Sequence, residues 1–385
     1  MNAAQREDGL ARMNIVILTS HVLLPGFRKA SVHFVAQCWA RDGHRVHFTT
    51  VGHSALSFFS KRHRWTALRA QQGNRYLEEE PGLHAGAYLP LLHGFSSHNA
   101  LLDRLGYMLF PFYARRVPAF MRQIVETADV VLIESGTPLA FFDAVKSINP
   151  EARMLYFCRD LLKTVGASAY LRDLERRRIA RFDAVTVPSR RLGEQLPPGG
   201  NPIFIPQGID GALFEAESAS PYTTARRNAV VVGDMLFDQM AVAGMAEAAP
   251  EIDFHLFGIR WAGPLPANVL LHGEQSFELV ARYIRHADFG LAPYRLTPEE
   301  TYLAESSLKL LQYSYCLLPV ILPDLIPEQR GNEVRYPMQG RRDWRAIVDR
   351  ALAMPHDPAF RNGLLPWREV ARRTLGAALA PAPQH

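Results

Sequence analysis

The sequence predicts an α/β fold of two doubly wound parallel sheets facing each other across a cleft. Three observations carry that prediction. Short, β-rich apolar runs recur without polar alternation, the pattern of strands covered on both faces. Helix-length stretches separate several of them, as in residues 31–43, which close on a glycine suited to end a helix. The alternation pauses over residues 210–228, a polar stretch of small residues, and then resumes. Strand and helix alternating in this way are the mark of βαβ units.

The first set of strands falls on residues 14–20, 45–51, 129–135, 153–157, 184–188 and 202–206. The second falls on 229–234, 252–258, 268–273, 288–294 and 318–322. Residues 1–209 and 210–366 therefore read as two Rossmann-like domains. The final segment, 367–385, contains a helix over 367–379 that is expected to cross back to the first domain, followed by a frayed tail. In such sheets ligands bind beyond the carboxyl ends of the strands. Neither first turn carries G-x-G-x-x-G, and there is no P-loop, which argues against a dinucleotide or Walker-type site.

Composition narrows the class. Of 385 residues 48% are hydrophobic and 21% charged, ordinary for a globular protein. The three cysteines, Cys38, Cys158 and Cys316, lie far apart in apolar runs and read as buried free thiols. The N-terminus is polar and no run approaches the ~20 apolar residues of a spanning helix, so a cytoplasmic protein is expected. Charge is uneven. Residues 1–200 carry 26 Lys and Arg against 17 Asp and Glu, and residues 201–385 carry 17 against 21. A basic first half suits an anionic surface or a phosphorylated substrate.

One string stands out. Only five lysines accompany 38 arginines, and Lys309 is the only lysine after Lys163. It lies in an otherwise apolar segment one turn after Ser306 and Ser307. A helix N-terminus, two hydroxyls and an ammonium make a compact diphosphate site. The competing reading is a surface pair between Glu305 and Lys309, spaced i,i+4. The preceding loop carries Tyr294, which either lines a bound base or packs at an interface.

"GDMLFD", "HGE", "ADFGLAPY" and "YLAESSLKLLQY", in that order and spacing, resemble the donor half of the GumK-like, membrane-associated glucuronosyltransferases of the xanthan pathway, glycosyltransferase family 70. "IESG", "VKSINPEA", "LYFCRDLL" and "DAVTVPS" are similar to the first half of that family. The resemblance covers roughly residues 14–325. It implies the GT-B fold, a UDP-sugar donor, inversion at the anomeric carbon, a lipid-linked acceptor, and neither metal nor other cofactor. It places the catalytic aspartate on Asp160 and the diphosphate site on Ser306, Ser307 and Lys309. It places uridine contacts on Met235, Tyr294, Leu308 and Gln312, and a further donor-side acid on Glu274. The first domain becomes the acceptor-binding, membrane-facing one and the second the nucleotide-sugar one. The chain departs from the family in having Arg159 beside the aspartate, "GDM" for "GSM", Leu308 for a methionine, and no glycine before the last proline of "YCLLPVI".

The residues agree with that chemistry. Inverting transfer needs a carboxylate to take the proton of the attacking hydroxyl, and Asp160 follows the strand at 153–157. An N-cap role is its structural alternative. Glu134 also ends a strand and reads rather as a loop anchor. Departure of UDP needs positive charge, which Lys309 and a helix N-terminus supply. Residues 53–122 interleave aromatic and basic side chains, suiting a helix in an anionic lipid interface. Packing between helices is the alternative, and no nucleic-acid module is present. Arg28, Lys29, His33, Arg115 and Arg116 are assigned to the acceptor and membrane side.

The sequence therefore predicts a metal-independent glucuronosyltransferase, peripheral on the inner face of the membrane. It would act in exopolysaccharide synthesis, from UDP-glucuronate to a polyprenyl-diphosphate-linked oligosaccharide. Three alternatives stay open: another UDP-hexose donor on the same fold, a UDP-sugar epimerase, and a non-catalytic membrane-bound partner.

Overall fold

The structure is a computed structural model that describes residues 11–27, 29–55, 57, 62–96, 100–115 and 117–380. Its first sheet has eight strands: β1 (Asn14–Thr19), β2 (Arg45–Thr50), β3 (Tyr76–Glu80), β4 (Leu83–Ala87), β5 (Val130–Glu134), β6 (Arg153–Phe157), β7 (Ala184–Val187) and β8 (Ile203–Phe204). After β9 (Gly208–Ile209), a second sheet is built from β10 (Arg227–Val232), β11 (Ile252–Phe257), β12 (Val269–Gly273), β13 (Phe289–Leu291), β14 (Val320–Pro323) and β15 (Glu333–Tyr336). A last short strand, β16 (Leu365–Pro366), pairs with β9.

Strand order fixes where a ligand can sit. The first sheet runs β3-β4-β2-β1-β5-β6-β7-β8 and the second β12-β11-β10-β13-β14-β15. All pairings are parallel except β3 with β4. The chain reverses its direction of travel between β1 and β5 in one sheet and between β10 and β13 in the other. These two switch points are where loops diverge and leave a crevice.

The strands expected from apolar runs are present. The sequence does not announce β3 and β4. β3 reads Tyr-Leu-Glu-Glu-Glu and lies at the sheet edge with its three glutamates largely exposed, and β4 is rich in small residues. An edge strand can do without an apolar face, so hydropathy misses β3. The helix Ser31–Arg41 forms as expected, with Gly43 at φ +93° just past its end. That backbone conformation favours glycine.

Two apolar layers flank the first sheet. On one face Ile15, Ile17, Leu132, Leu155 and Phe157 pack against Val32, Val35 and Trp39 of the helix Ser31–Arg41. The helix Trp367–Leu379 completes this layer, with Val370, Ala371 and Leu375 buried in it. Trp39 donates from Nε1 to the Ala371 carbonyl at 2.9 Å, and Phe34 stacks on Trp367 at 4.9 Å. On the other face Val131, Ile133, Met154 and Tyr156 belong to a core that continues without a break into Val230, Phe257, Tyr294 and Tyr313 of the second half. A third core covers the far face of the second sheet. All three cysteines are free thiols; Cys158 is buried, Cys38 and Cys316 half-buried.

The two crossings between the halves are joined. Outgoing β9 and returning β16 lie side by side in parallel, Leu365 opposite Gly208 and Pro366 opposite Ile209. Gly208 has no room for a side chain, since a Cβ there would come within 2.7 Å of the Trp367 ring.

Candidate active site

The carboxyl ends of the two sheets enclose a cavity of about 560 Å³. Its second-half wall is built around the β10/β13 switch point. Gly233 and Asp234 follow β10, Tyr294 follows β13, and the helix Leu308–Tyr315 aims its N-terminus into the space. Ser307 is the N-cap of that helix and Ser306 closes the short turn Leu303–Ser306 before it. The N-terminus thus starts one residue later than a helix running through both serines would have it.

Lys309 is half-buried in the first turn. Its Nζ donates to the Gly233 carbonyl at 3.4 Å and stands 4.8 Å over the Tyr294 ring. Burial lowers it to about 8, opposed by the charge of Asp234. A desolvated ammonium held at a cavity wall, with no ion pair among the described residues, is poised to accept an anion. Tyr294 is itself buried, and its hydroxyl hydrogen-bonds Ser307 Oγ at 2.8 Å. Ser306 Oγ is buried without a hydrogen-bond partner among the described residues. Such an orphan next to an ammonium fits a site waiting for an oxygen-rich ligand.

Glu305 is not the partner of Lys309. It crosses to the first half, where its carboxylate accepts from Ser189 Oγ and from the Arg190 amide at 2.8 Å. Of the remaining donor-side residues, Met235, Leu308 and Gln312 line the same cavity. Glu274 lines it too, but its carboxylate is held by Arg64 Nη2 from the first half, at 2.9 and 3.1 Å.

The first-half wall is built around the β1/β5 switch point. Asp160 lies three residues past β6 on the cavity surface, and its Oδ1 accepts from the Tyr302 hydroxyl at 3.3 Å across the cleft. Arg159 beside it is buried. Its guanidinium lies 3.7 Å from the centre of the Phe157 ring, Nη2 donates to the Thr186 carbonyl at 3.3 Å, and burial lowers it to about 10. Glu134 and His21 face the cavity from the ends of β5 and β1. Sequence reading ranks loop anchoring above catalysis for Glu134 and passes over His21. Their signal is position: polar residues just past adjacent strands at a switch point, visible only once β1 and β5 are known to pair.

The residues assigned to the acceptor and membrane side scatter. Lys29 lines the cavity and bridges to Glu278 of the second half at 3.4 Å. His33 does not reach the cavity. Its ring is buried, bonds the Val22 carbonyl from Nε2 at 3.0 Å and the Ala30 amide through Nδ1 at 2.9 Å, and is lowered to about 3 chiefly by burial. It stays neutral and pins the loop after β1. Arg115 is exposed in the last turn of the helix Ala100–Arg115, beside exposed Met108 and Phe112 on the same helix. Arg28 and Arg116 lie outside the described residues. No helix among the described residues is long and apolar enough to cross a membrane.

Comparison with known proteins bears on the sequence family and the fold. Residues 17–188 match the family model of the glucuronosyltransferase GumK N-terminal domain. The UDP-glucuronate:glycolipid 2-beta-glucuronosyltransferase of Xanthomonas campestris pv. campestris is 27% identical over 384 residues, covering 99% of this chain and 94% of that one. Among solved structures, a UDP-forming trehalose-phosphate synthase from Burkholderia xenovorans superposes with a TM-score of 0.63 at 10% identity, covering 97% of this chain and all of that one. AviGT4, a glycosyltransferase involved in avilamycin A biosynthesis, gives a TM-score of 0.54 at 14% identity, covering 95% and 97%. At those identities the structural likeness speaks for the fold. The chain is thus similar in sequence to the glucuronosyltransferase GumK along its length and has the GT-B fold.

Proposed function

We propose that the protein transfers glucuronic acid from UDP-glucuronate to a polyprenyl-diphosphate-linked oligosaccharide, with inversion and without a metal ion, in exopolysaccharide synthesis. One observation carries the reading. A single cavity has Lys309, Ser306 and a helix N-terminus on one wall and Asp160 on the other. The donor and the glycolipid class of acceptor follow the activity of the Xanthomonas relative, and the polyprenyl carrier is what the resemblance to the xanthan-pathway family implies.

In this mechanism the amides at the start of Leu308–Tyr315 and the Lys309 ammonium receive the diphosphate. They gain most as negative charge collects on the departing UDP oxygen. Asp160 takes the proton of the acceptor hydroxyl as the new bond forms on the opposite face of the sugar. The cross-cleft contacts at the rims, Arg64 with Glu274, Lys29 with Glu278 and Lys163 with Glu299, close the halves over the reactants. Exposed pairs of this kind contribute only about 0–1 kcal/mol each, which leaves the cleft free to reopen. The protein is proposed to sit peripherally on the inner face of the membrane, through the basic, aromatic surface that includes Arg115.

The test is a panel of UDP-sugars with a lipid-linked acceptor extract. Transfer from UDP-glucuronate alone, unchanged by EDTA or added Mg²⁺ and giving the inverted anomer, is the expected result. Transfer from another UDP-hexose replaces the donor assignment. Release of free epimer without acceptor, or inhibition by EDTA, overturns the mechanism.

A further inference from the structure

The cavity holds a pair of ionisable side chains that the mechanism above leaves unused. They lie at the switch point of the first sheet, where β1 and β5 end side by side. Glu134 closes β5 and is 4% exposed. Its Oε2 accepts a hydrogen bond from Thr19 Oγ1, and the Ser20 amide also donates to the carboxylate. Its Oε1 faces His21 Nε2 at 3.5 Å. The imidazole is the more open of the two, with 30% of its side chain exposed. Its backbone is fixed from both sides: the His21 amide donates to Thr19 Oγ1 at 3.0 Å, and the His21 carbonyl accepts from Thr50 Oγ1 at 2.7 Å. The ring stands edge-on to His33, 5.7 Å between centres.

We infer that His21, oriented by Glu134, is a second proton acceptor for the incoming hydroxyl, so that Asp160 does not act alone. The inference rests on the transfer reaction proposed above. As the acceptor oxygen bonds to the anomeric carbon, that carbon's bond to the UDP oxygen breaks. The acceptor O–H bond breaks with it, and its single proton leaves by one of two routes, to Asp160 as proposed above or to the His21 imidazole. UDP leaves with the bonding pair. Glu134 touches neither substrate nor reacting atoms. It is a positioning residue that fixes the ring and meets the positive charge as imidazolium forms.

The surroundings suit that role. An imidazole backed by a buried, hydrogen-bonded carboxylate is held in one orientation and made more basic. Burial lifts Glu134 to about 7, while the Thr19 hydrogen bond and the Arg159 charge pull the other way. The charged and titratable groups around the pair are Arg159 from beyond β6 and neutral His33 from the helix Ser31–Arg41, with Lys29 and Asp160 on the same cavity. A proton placed on His21 converts this near-neutral carboxyl into the counter-ion of a cation, which couples the two titrations.

The experiment compares full-length wild type with His21→Ala, Glu134→Gln and Asp160→Asn, using UDP-glucuronate and a lipid-linked acceptor. His21→Ala is expected to lose roughly 10²-fold in kcat/KM, to bind UDP as wild type does, and to regain part of the loss in added imidazole. Glu134→Gln is expected to lose roughly tenfold, the scale of an orienting partner, and to flatten the limb of the pH profile that rises near pH 7. Wild-type kcat/KM in His21→Ala overturns the inference. So does a loss that imidazole does not relieve, accompanied by an unchanged pH profile in Glu134→Gln. If His21→Ala is silent while Asp160→Asn is inactive, the transfer reading stands and this inference fails. If the wild-type protein moves no sugar, the transfer reading itself fails.

Discussion

The two walls of the cavity are made in different ways. The proposed diphosphate side of the second-half wall comes from one continuous string: Ser306, Ser307, Leu308, Lys309 and Gln312 span two turns of chain around one helix start. The first-half wall is assembled from the ends of separate strands, His21 after β1, Glu134 on β5 and Asp160 after β6, more than a hundred residues apart at the extremes. The electrostatics differ too. The second wall sets a single lysine, Lys309, beside Asp234, with Glu274 held by Arg64, whereas the first places acids, an imidazole and a guanidinium within one row of strand ends. Binding a diphosphate needs fixed positive potential, which local backbone supplies. Moving a proton needs groups whose affinities are set against one another, which takes parts from several strands.

This contrast predicts a separation of effects. The largest is expected for Asp160→Asn. Turnover should fall about 10²–10⁴-fold, while UDP affinity stays that of wild type. A fall in UDP affinity of the same size would place Asp160 on the donor wall and erase the distinction. Next is Lys309→Ala, expected to weaken UDP binding by about 1.5–3 kcal/mol, the scale of a charged hydrogen bond, in a calorimetric titration. Wild-type affinity in that variant would move the diphosphate site elsewhere.

A smaller effect concerns pH. Burial holds Lys309 at about 8 in the free protein, below the unfolded value near 10.4. A bound diphosphate favours the ammonium and raises that value. UDP affinity should therefore be level below pH 8 and fall as pH climbs above it, by at most about tenfold per unit. Binding near pH 8 should take up protons, seen as heats that differ between buffers. For the free protein the sign is opposite: the unfolded chain binds the extra proton between the two values, so stability rises with pH there. A UDP affinity flat from pH 7 to 10 would mean that the lysine is not in the site.

The smallest effect tests the outer surfaces rather than the walls. The first half carries the basic excess and the exposed Met108 and Phe112 near Arg115. Arg115→Glu should reduce binding to anionic vesicles by about 1 kcal/mol per charge near the surface, and added salt should weaken wild-type binding. Equal binding to neutral vesicles would remove electrostatics from the docking.

Legibility in the sequence follows the same division. Strands covered on both faces, such as β1, β5, β6 and β10, announce themselves because burial demands an unbroken apolar run. Edge strands β3 and β15 carry charged residues and leave no such trace. Lys309 is legible because the serines and helix start beside it on the wall are its neighbours in the chain, although its contacts with Gly233 and Tyr294 are not. Arg64 is not, because the Glu274 it clasps is 210 residues away. Glu305 shows the limit from the other side. Its spacing to Lys309 suggests a helical pair, but tertiary structure turns it to Ser189 and Arg190. His33 shows it again: a histidine in a basic stretch looks available for ligands, yet burial makes it a neutral clamp for the loop.

The β9–β16 ribbon has a mechanical consequence. Two unconnected tethers would let the halves slide, splay or twist independently. Two tethers hydrogen-bonded edge to edge behave as one leaf, stiff against shear and free mainly to bend. With Gly208 seated beneath Trp367, the joint resembles a door hung on a single pin. If the protein acts as proposed, opening for UDP exchange and closing for transfer would be one rotation traced in both directions. The rim contacts act as its latch, and the same swing would set how fast spent nucleotide can leave.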